Sequence, residues 1–234
     1  MKPKKIIDLS IILYNCMPKW PTHPNFLYEQ ITNVPRDGAT HHIIRQMNTH
    51  TGTHIDAPSH YIIGGKTVDQ LPIEAFAGEG VVLDISYKKP GEAITVEDLK
   101  TYDHEIKAGD ILMLHTGWDK RMGFNLEYLF EWPYLVEETA KYLVKKKVKA
   151  LGVDTLSVGG WAGKVPGHGP TDITHSGGEV HRILLKSGTI IVETLANLDK
   201  VLDGSRVRRA YFIYAPISIK GAEAGPCRAS ALIF

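Results

Sequence analysis

Three histidines and one aspartate fall within eleven consecutive positions, His50 to His60, in the stretch HTGTHIDAPSH. Imidazole and carboxylate groups bind metals and carry protons, and histidines that merely pack in a core need no neighbours of their own kind. Ligands of one ion converge to about 2 Å from it, so their donor atoms lie only a few ångströms apart. A straight strand would separate His50 from His54 by about 13 Å, so the chain has to turn between them. Gly52 permits unusual dihedrals, Thr51 and Thr53 weaken an unbroken helix, and Pro58 stops a helix or a ladder. The spacing predicts a strand ending near Asn48, a tight turn at Gly52 and an irregular segment up to His60. Two imidazoles and a carboxylate suit Zn2+, Mn2+ or Fe2+ better than Ca2+ or Mg2+. Three protein ligands leave positions open for water, as catalysis requires. On spacing alone, a loop of hydrogen-bonded histidines competes with this reading.

The elements that must position these residues are short. Runs at 6–13, 80–86, 110–115, 150–154, 189–193 and 211–217 are rich in β-branched residues and mostly bounded by Gly, Pro or Asp, which reads as strand. Thr95, with Asp98 three residues on, predicts a capped helix. Residues 134–147 carry Leu135, Val136, Ala140, Leu143 and Val144 at helical spacing. Val180, Ile183, Leu184 and Leu185 make a second stripe, ended by Gly188. Strands outnumber helices, and the long spacing between several of them predicts a mixed α/β sheet. There is no internal repeat or low-complexity linker. The glycine-rich stretch 159–169, GGWAGKVPGHG, suits a loop over a pocket better than a domain boundary. Residues 1–234 are therefore expected to form one domain.

Composition excludes several function classes. With 27 basic against 26 acidic side chains, no bulk field recruits nucleic acid or an acidic membrane. Lys145, Lys146 and Lys147 read as a solvated helix face. Cys16 and Cys227 form no CxxC pair, which argues for a reducing compartment. MKPKKIIDLS lacks the apolar run of a signal peptide, and no stretch of about eighteen apolar residues could span a bilayer. The expectation is a cytoplasmic protein.

HTGTHIDAPSH resembles the signature of the cyclase family of metal-dependent hydrolases, H-x-G-T-H-x-D-x-P-x-H, at every defined position. The resemblance continues through WP at 20–21, GVDTLSVG at 152–159, HRILLKSGTIIVETLANL at 181–198 and PCRASALI near the end. Bacterial kynurenine formamidase (arylformamidase) and isatin hydrolase are members. The resemblance implies an α/β fold of the swivelling β/β/α type, with a barrel-like mixed sheet and flanking helices. It implies that His50, His54 and Asp56 bind a first metal, and that Asp56 bridges to a second ion held with His181 and Glu193. One or two Zn2+ or Mn2+ ions are thus expected. The residues themselves agree: His181 opens a helix stripe, and Glu193 ends an apolar strand where a lone carboxylate needs a partner. A salt bridge to an arginine for Glu193, and a solvent-facing His181, are the competing readings.

The family uses the position of His60 as general acid/base, and an imidazole titrating near neutrality is suited to move that proton. The implied reaction is hydrolysis of an amide or cyclic amide C–N bond in a small molecule. N-formyl-kynurenine, giving kynurenine and formate, is the best single reading of the substrate. An isatin-type hydrolase, a metal-dependent lyase or dehydratase, and a non-catalytic metal-stabilised binding module are the alternatives. A homo-oligomer, dimer or tetramer, completes the expectation. Trp20 is expected either as an aromatic wall over the substrate or as core. His168 and His175, in PGHGPTDITHSGG, suit a pocket lining or an extra ligand as well as a polar loop. Asp154 is expected to anchor that loop or to orient a ligand, whereas His41, His42, His104 and His115 read as surface or packing residues.

Overall fold

The computed structural model describes residues 2–161, 163 and 177–234. In chain order its strands are β1 (Lys5–Asp8), β2 (Leu27–Thr32), β3 (His41–Gln46), β4 (His54–Asp56), β5 (Ala77–Asp84), β6 (Ala93–Ile94), β7 (Ile111–His115), β8 (Tyr134–Leu135), β9 (Ala150–Val153), β10 (Ile190–Glu193), β11 (Val207–Ile213), β12 (Ala224–Pro226) and β13 (Ser230–Ile233). The helices are α1 (Val34–Asp37), α2 (Val96–Lys100), α3 (Leu126–Phe130), α4 (Glu137–Lys146), α5 (Gly177–Lys186) and α6 (Leu198–Leu202). Nine strands form one mixed sheet in the order β1-β13-β11-β5-β7-β9-β10-β4-β12. Its centre, β5-β7-β9-β10, is parallel, and both flanks pair antiparallel.

The central strands are apolar on both faces, as parallel strands covered on both sides must be. Val81, Leu83, Leu112, Leu114, Leu151, Val153 and Ile191 point to one face, under Leu99 of α2, Ala140 and Leu143 of α4, and Val180 and Leu184 of α5. The alternate residues Val82, Ile111, Met113 and Val192 face the other way. There they meet Ile7, Leu9, Ile55 and Phe212, with α6 closing the layer. Residues from distant strands share that inner core because the sheet curls. Ala196 N–H donates to the Leu9 carbonyl at 2.8 Å, and Ser10 bridges to Leu195, drawing the two flanks together. The barrel-like mixed sheet with flanking helices is what the sequence led us to expect.

Individual elements differ in informative ways. The strand expected over 6–13 ends at Asp8, and that expected over 211–217 begins earlier, at Val207. The helix expected over 134–147 starts only at Glu137, because Tyr134 and Leu135 pair as β8 with β6. Thr95 and Asp98 form the expected capping box on α2. The segment after Gly52 is not irregular: His54–Asp56 is a strand, since β10 and β12 hydrogen-bond it from both sides. Outside the large sheet, β2 and β3 form a two-stranded hairpin.

Candidate metal centre

Pairing in the sheet assembles the polar cluster. On β4, alternation turns His54 and Asp56 to one face and Ile55 to the inner core, where Ile55 is fully buried. A slip of one residue would put Ile55 in the polar site and two ionisable side chains in the apolar core, so the register is strongly enforced. Glu193 of β10 pairs directly with His54 and adds a carboxylate to the same face. These three residues are only 2%, 0% and 4% exposed, in the order His54, Asp56, Glu193. Two carboxylates cannot be withdrawn from water without compensating cations.

The compensation comes from the imidazoles of His50, His54 and His181, on three separate pieces of chain. Gly52 adopts φ +66°, and a Cβ there would collide with Leu13, so the turn between His50 and His54 needs glycine. Asn48 and Thr51 fasten that turn: His50 N–H donates to Asn48 Oδ1 at 2.8 Å, and Asn48 N–H to Thr51 Oγ1 at 3.0 Å. Thr53 donates from Oγ1 to the Thr194 carbonyl at 2.6 Å, tying the turn to the end of β10. His50 Nδ1 lies 3.1 Å from Asp56 Oδ1. His54 Nε2 is 3.5 Å from both Asp56 Oδ1 and Glu193 Oε2. His181, on the first turns of α5, places Nε2 3.1 Å from Glu193 Oε1 and 3.7 Å from Asp56 Oδ2. Pro58–His60 is a single tight turn, from which the His60 ring reaches to 4.4 Å, centroid to centroid, from that of His50.

Electrostatics bind the cluster together. Burial opposes charge on His181, but its hydrogen bond to Glu193 and the charges of Glu193 and Asp56 outweigh that and push its pKa up to about 9. The same balance raises His54. Burial and mutual repulsion work against ionising Asp56, yet His50 and His54 hold it below the ordinary carboxylate range. Burial likewise opposes Glu193, and His181 and His54 carry it well below its usual value. His60 moves the other way, lowered mainly by burial and also by the positive charges of His50 and His181.

A divalent ion fits this arrangement. Asp56 Oδ1, Asp56 Oδ2 and His54 Nε2 are buried without a hydrogen-bond partner, a costly condition that coordination would relieve. Among the described residues two donor sets lie within 4.8 Å of one another, His50–Asp56–His60 and His54–Asp56–Glu193. Asp56 belongs to both. The structure thus brings His50, His54, Asp56, His60, His181 and Glu193 into one cluster. His60 also lies close to His50 and Asp56, and His54 lies between Asp56 and Glu193.

The cluster floors a cavity of about 300 Å3 walled by Trp20, Trp161, Tyr61, His23 and Leu156. Trp20 is both wall and packing residue, its ring 5.0 Å from that of Trp161 and 5.5 Å from that of Trp132. His168 and His175 lie outside the described residues. Asp154 orients none of the clustered side chains. It accepts from Thr116 N–H at 3.0 Å, Thr116 Oγ1–H at 2.5 Å and Gly117 N–H at 2.8 Å, anchoring the turn after β7, with His115 Nδ1 at 3.2 Å. His115 is therefore a buried packing residue, while His104 is exposed.

Three residues at the site escaped the sequence reading. Tyr61 stacks on His181 at 4.9 Å and 26°, and directly follows the signature. His23 lies 5.6 Å from the His50 ring; burial and the neighbouring positive charges lower its pKa to about 4. Its signal was its place two residues after the WP pair. Glu223 faces His50 Nε2 at 3.4 Å, and nothing in the sequence around it points there.

The profile of the Cyclase family matches residues 7–159, well over half of the chain. The chain belongs to the Cyclase family. The kynurenine formamidase of Bacillus cytotoxicus is 31% identical over 229 residues, covering 98% of each chain. Isatin hydrolase A from Labrenzia aggregata, solved with benzyl benzoate bound, superposes with a TM-score of 0.82 at 28% identity, covering 98% of this chain and 93% of that one. The predicted metal-dependent hydrolase of Bacillus stearothermophilus gives 0.73 at 27% identity over 97% of each. This Cyclase-family member shares the fold of those structures along nearly its whole length.

Proposed function

We propose that this chain is an arylformamidase that hydrolyses N-formyl-kynurenine to kynurenine and formate, using one or two Zn2+ or Mn2+ ions. That it is a metal-dependent amide hydrolase follows from its full-length similarity to kynurenine formamidases and isatin hydrolase and from its donor cluster. The observation that carries the reading is the buried Asp56–Glu193 pair inside a ring of imidazoles, with three polar atoms that lack partners. His50, His54 and Asp56 would hold the first ion, and Asp56, His181 and Glu193 the second. An ion bound there supplies Lewis-acid activation of water and of the scissile carbonyl. His60, kept mainly neutral by its lowered pKa, takes a proton from the attacking water and returns it to the leaving nitrogen. Trp20 and Trp161 form an aromatic wall against which an aryl group would pack. His168 is proposed as a further substrate contact on its sequence position alone.

We read residues 1–234 as one domain because β1 and β13, from opposite ends of the chain, pair in one sheet. A homo-oligomer, dimer or tetramer, is supported by the hairpin. An isolated two-stranded sheet is marginal in water, and β2–β3 exposes Tyr28, Ile31 and Ile44. Among the described residues no helix is long and apolar enough to cross a membrane. Cys16 and Cys227 are free, in keeping with a cytoplasmic setting.

The test is a panel of N-formyl-kynurenine, formanilide and isatin on Zn- and Mn-loaded protein. Formate release from N-formyl-kynurenine at the highest kcat/KM is expected. Preferential opening of isatin would reassign the substrate to the cyclic amide class. No hydrolysis of any member would overturn the reading.

A further inference from the structure

Each imidazole proposed to hold an ion has one nitrogen turned to the carboxylates and one turned away. In His54 the outward nitrogen is Nδ1, 2.8 Å from the Gly52 carbonyl. In His181 it is again Nδ1, 2.7 Å from the Gly177 carbonyl. Backbone oxygens can only accept, so both rings carry their proton on Nδ1 and turn Nε2 inward. His50 is reversed. Its Nδ1 faces Asp56, and its outward Nε2 lies 3.4 Å from a carboxylate oxygen, Glu223 Oε1.

Glu223 is held at that position by contacts independent of His50. It immediately precedes β12, the edge strand paired with β4, and its carbonyl accepts Ala57 N–H at 2.8 Å. Thr49 donates from Oγ1 to Glu223 Oε1 at 2.7 Å. The chain thus places a carboxylate beside the one ring of the three whose outward nitrogen does not face a backbone carbonyl. Glu223 belongs to neither set of mutually close metal donors, and it meets the side of His50 that points away from Asp56.

We propose that Glu223 is the positioning residue of His50: its carboxylate accepts from Nε2–H, fixes the tautomer that leaves the Nδ1 lone pair for the metal, and thereby sets how tightly the ion is held. A neutral imidazole can ligate through one nitrogen only when the other carries the proton, and an anionic acceptor both selects that tautomer and raises the basicity of the ligating nitrogen. The other two rings rely on neutral carbonyls. His50 is the one whose donor strength depends on a side chain, and that side chain is 40% exposed. This rests on His50 being a metal ligand, as proposed above.

The test is the affinity for Zn2+ and Mn2+, measured by competition with a chromophoric chelator. It compares wild type, Glu223→Gln, Glu223→Ala and His54→Ala, together with thermal unfolding of each metal-free form. Glu223→Ala should weaken binding by about 10–100-fold at unchanged stoichiometry, the usual worth of an outer partner. Glu223→Gln, which keeps an acceptor but not the charge, should lose about tenfold, at the lower end of that range. In Zn-loaded wild type the Nε2-bound proton of His50 should appear in histidine 1H–15N spectra and be lost in Glu223→Ala, which a merely structural role would not cause. Wild-type affinity in Glu223→Ala overturns the assignment, as does loss of a whole equivalent of metal, which would make Glu223 a ligand. If Glu223→Ala fails to fold, Glu223→Gln decides, and an affinity equal to wild type overturns the proposal. A wild type that binds neither ion, or His54→Ala binding as tightly as wild type, overturns the metal centre and this inference with it.

Discussion

Stripping the metal from this protein should leave two buried carboxylates balanced by imidazole protons, and rebinding should expel those protons. In the metal-free geometry His181 Nε2 lies 3.1 Å from Glu193 and 3.7 Å from Asp56. Burial alone would lower its pKa, but Glu193 and Asp56 override that and raise it to about 9, so at pH 7 the ring is protonated. A ligand must give up its proton before it can coordinate. The gap between pH 7 and about 9 therefore lowers the apparent affinity of an ion held by His181 by roughly two decades. Affinity should climb about tenfold per pH unit from 7 to 9 and then level off. His54, whose pKa is also raised by Glu193 and Asp56 against the effect of burial, adds to the slope. Chelator competition at a series of pH values reads the slope, and calorimetry in two buffers of different ionisation enthalpy counts the protons released. An affinity that is flat between pH 7 and 9, with no proton released, would refute both the charge balance and the role of His181 as a ligand.

Three further outcomes are expected. His60→Ala should keep its metal but lose roughly 10²–10⁴-fold in turnover; if activity instead falls only in proportion to metal content, His60 is a ligand, as its closeness to His50 and Asp56 permits. Glu193→Gln can still accept from Val158 N–H, which lies 2.8 Å from Glu193 Oε1, but loses the charge, so metal content should fall from about two equivalents towards one; a wild type that never exceeds one equivalent under excess Zn or Mn removes the second ion. Asp154→Ala should leave bound metal unchanged and strand the donors of Thr116 and Gly117, costing about 3 kcal/mol and roughly 6–12 °C in Tm. A loss under about 1 kcal/mol by denaturant titration would show that the turn after β7 does not depend on that carboxylate.

What could be read in the residues is what short-range physics decides. Ile111–His115, Ala150–Val153 and Ile190–Glu193 are legible as strands because, buried on both faces, they are continuous apolar runs between polar or turn residues. The cap of α2 lies within a single helical turn and the stripe of α5 within about two. His50, His54, Asp56 and His60 share eleven positions, so their chemistry was visible before any fold was known. The remainder required partners distant in sequence. HID is too short and too polar to read as a strand, and becomes β4 only because β10 and β12 satisfy its backbone from both sides. The same pairing sets Glu193 opposite His54 and so decides that two carboxylates share one dry site. Glu223, bonded to Thr49 across 174 positions, comes to His50 through the edge strand alone. Local propensity acts within a few residues, whereas the position of each carboxylate was settled by strand pairing across the whole chain.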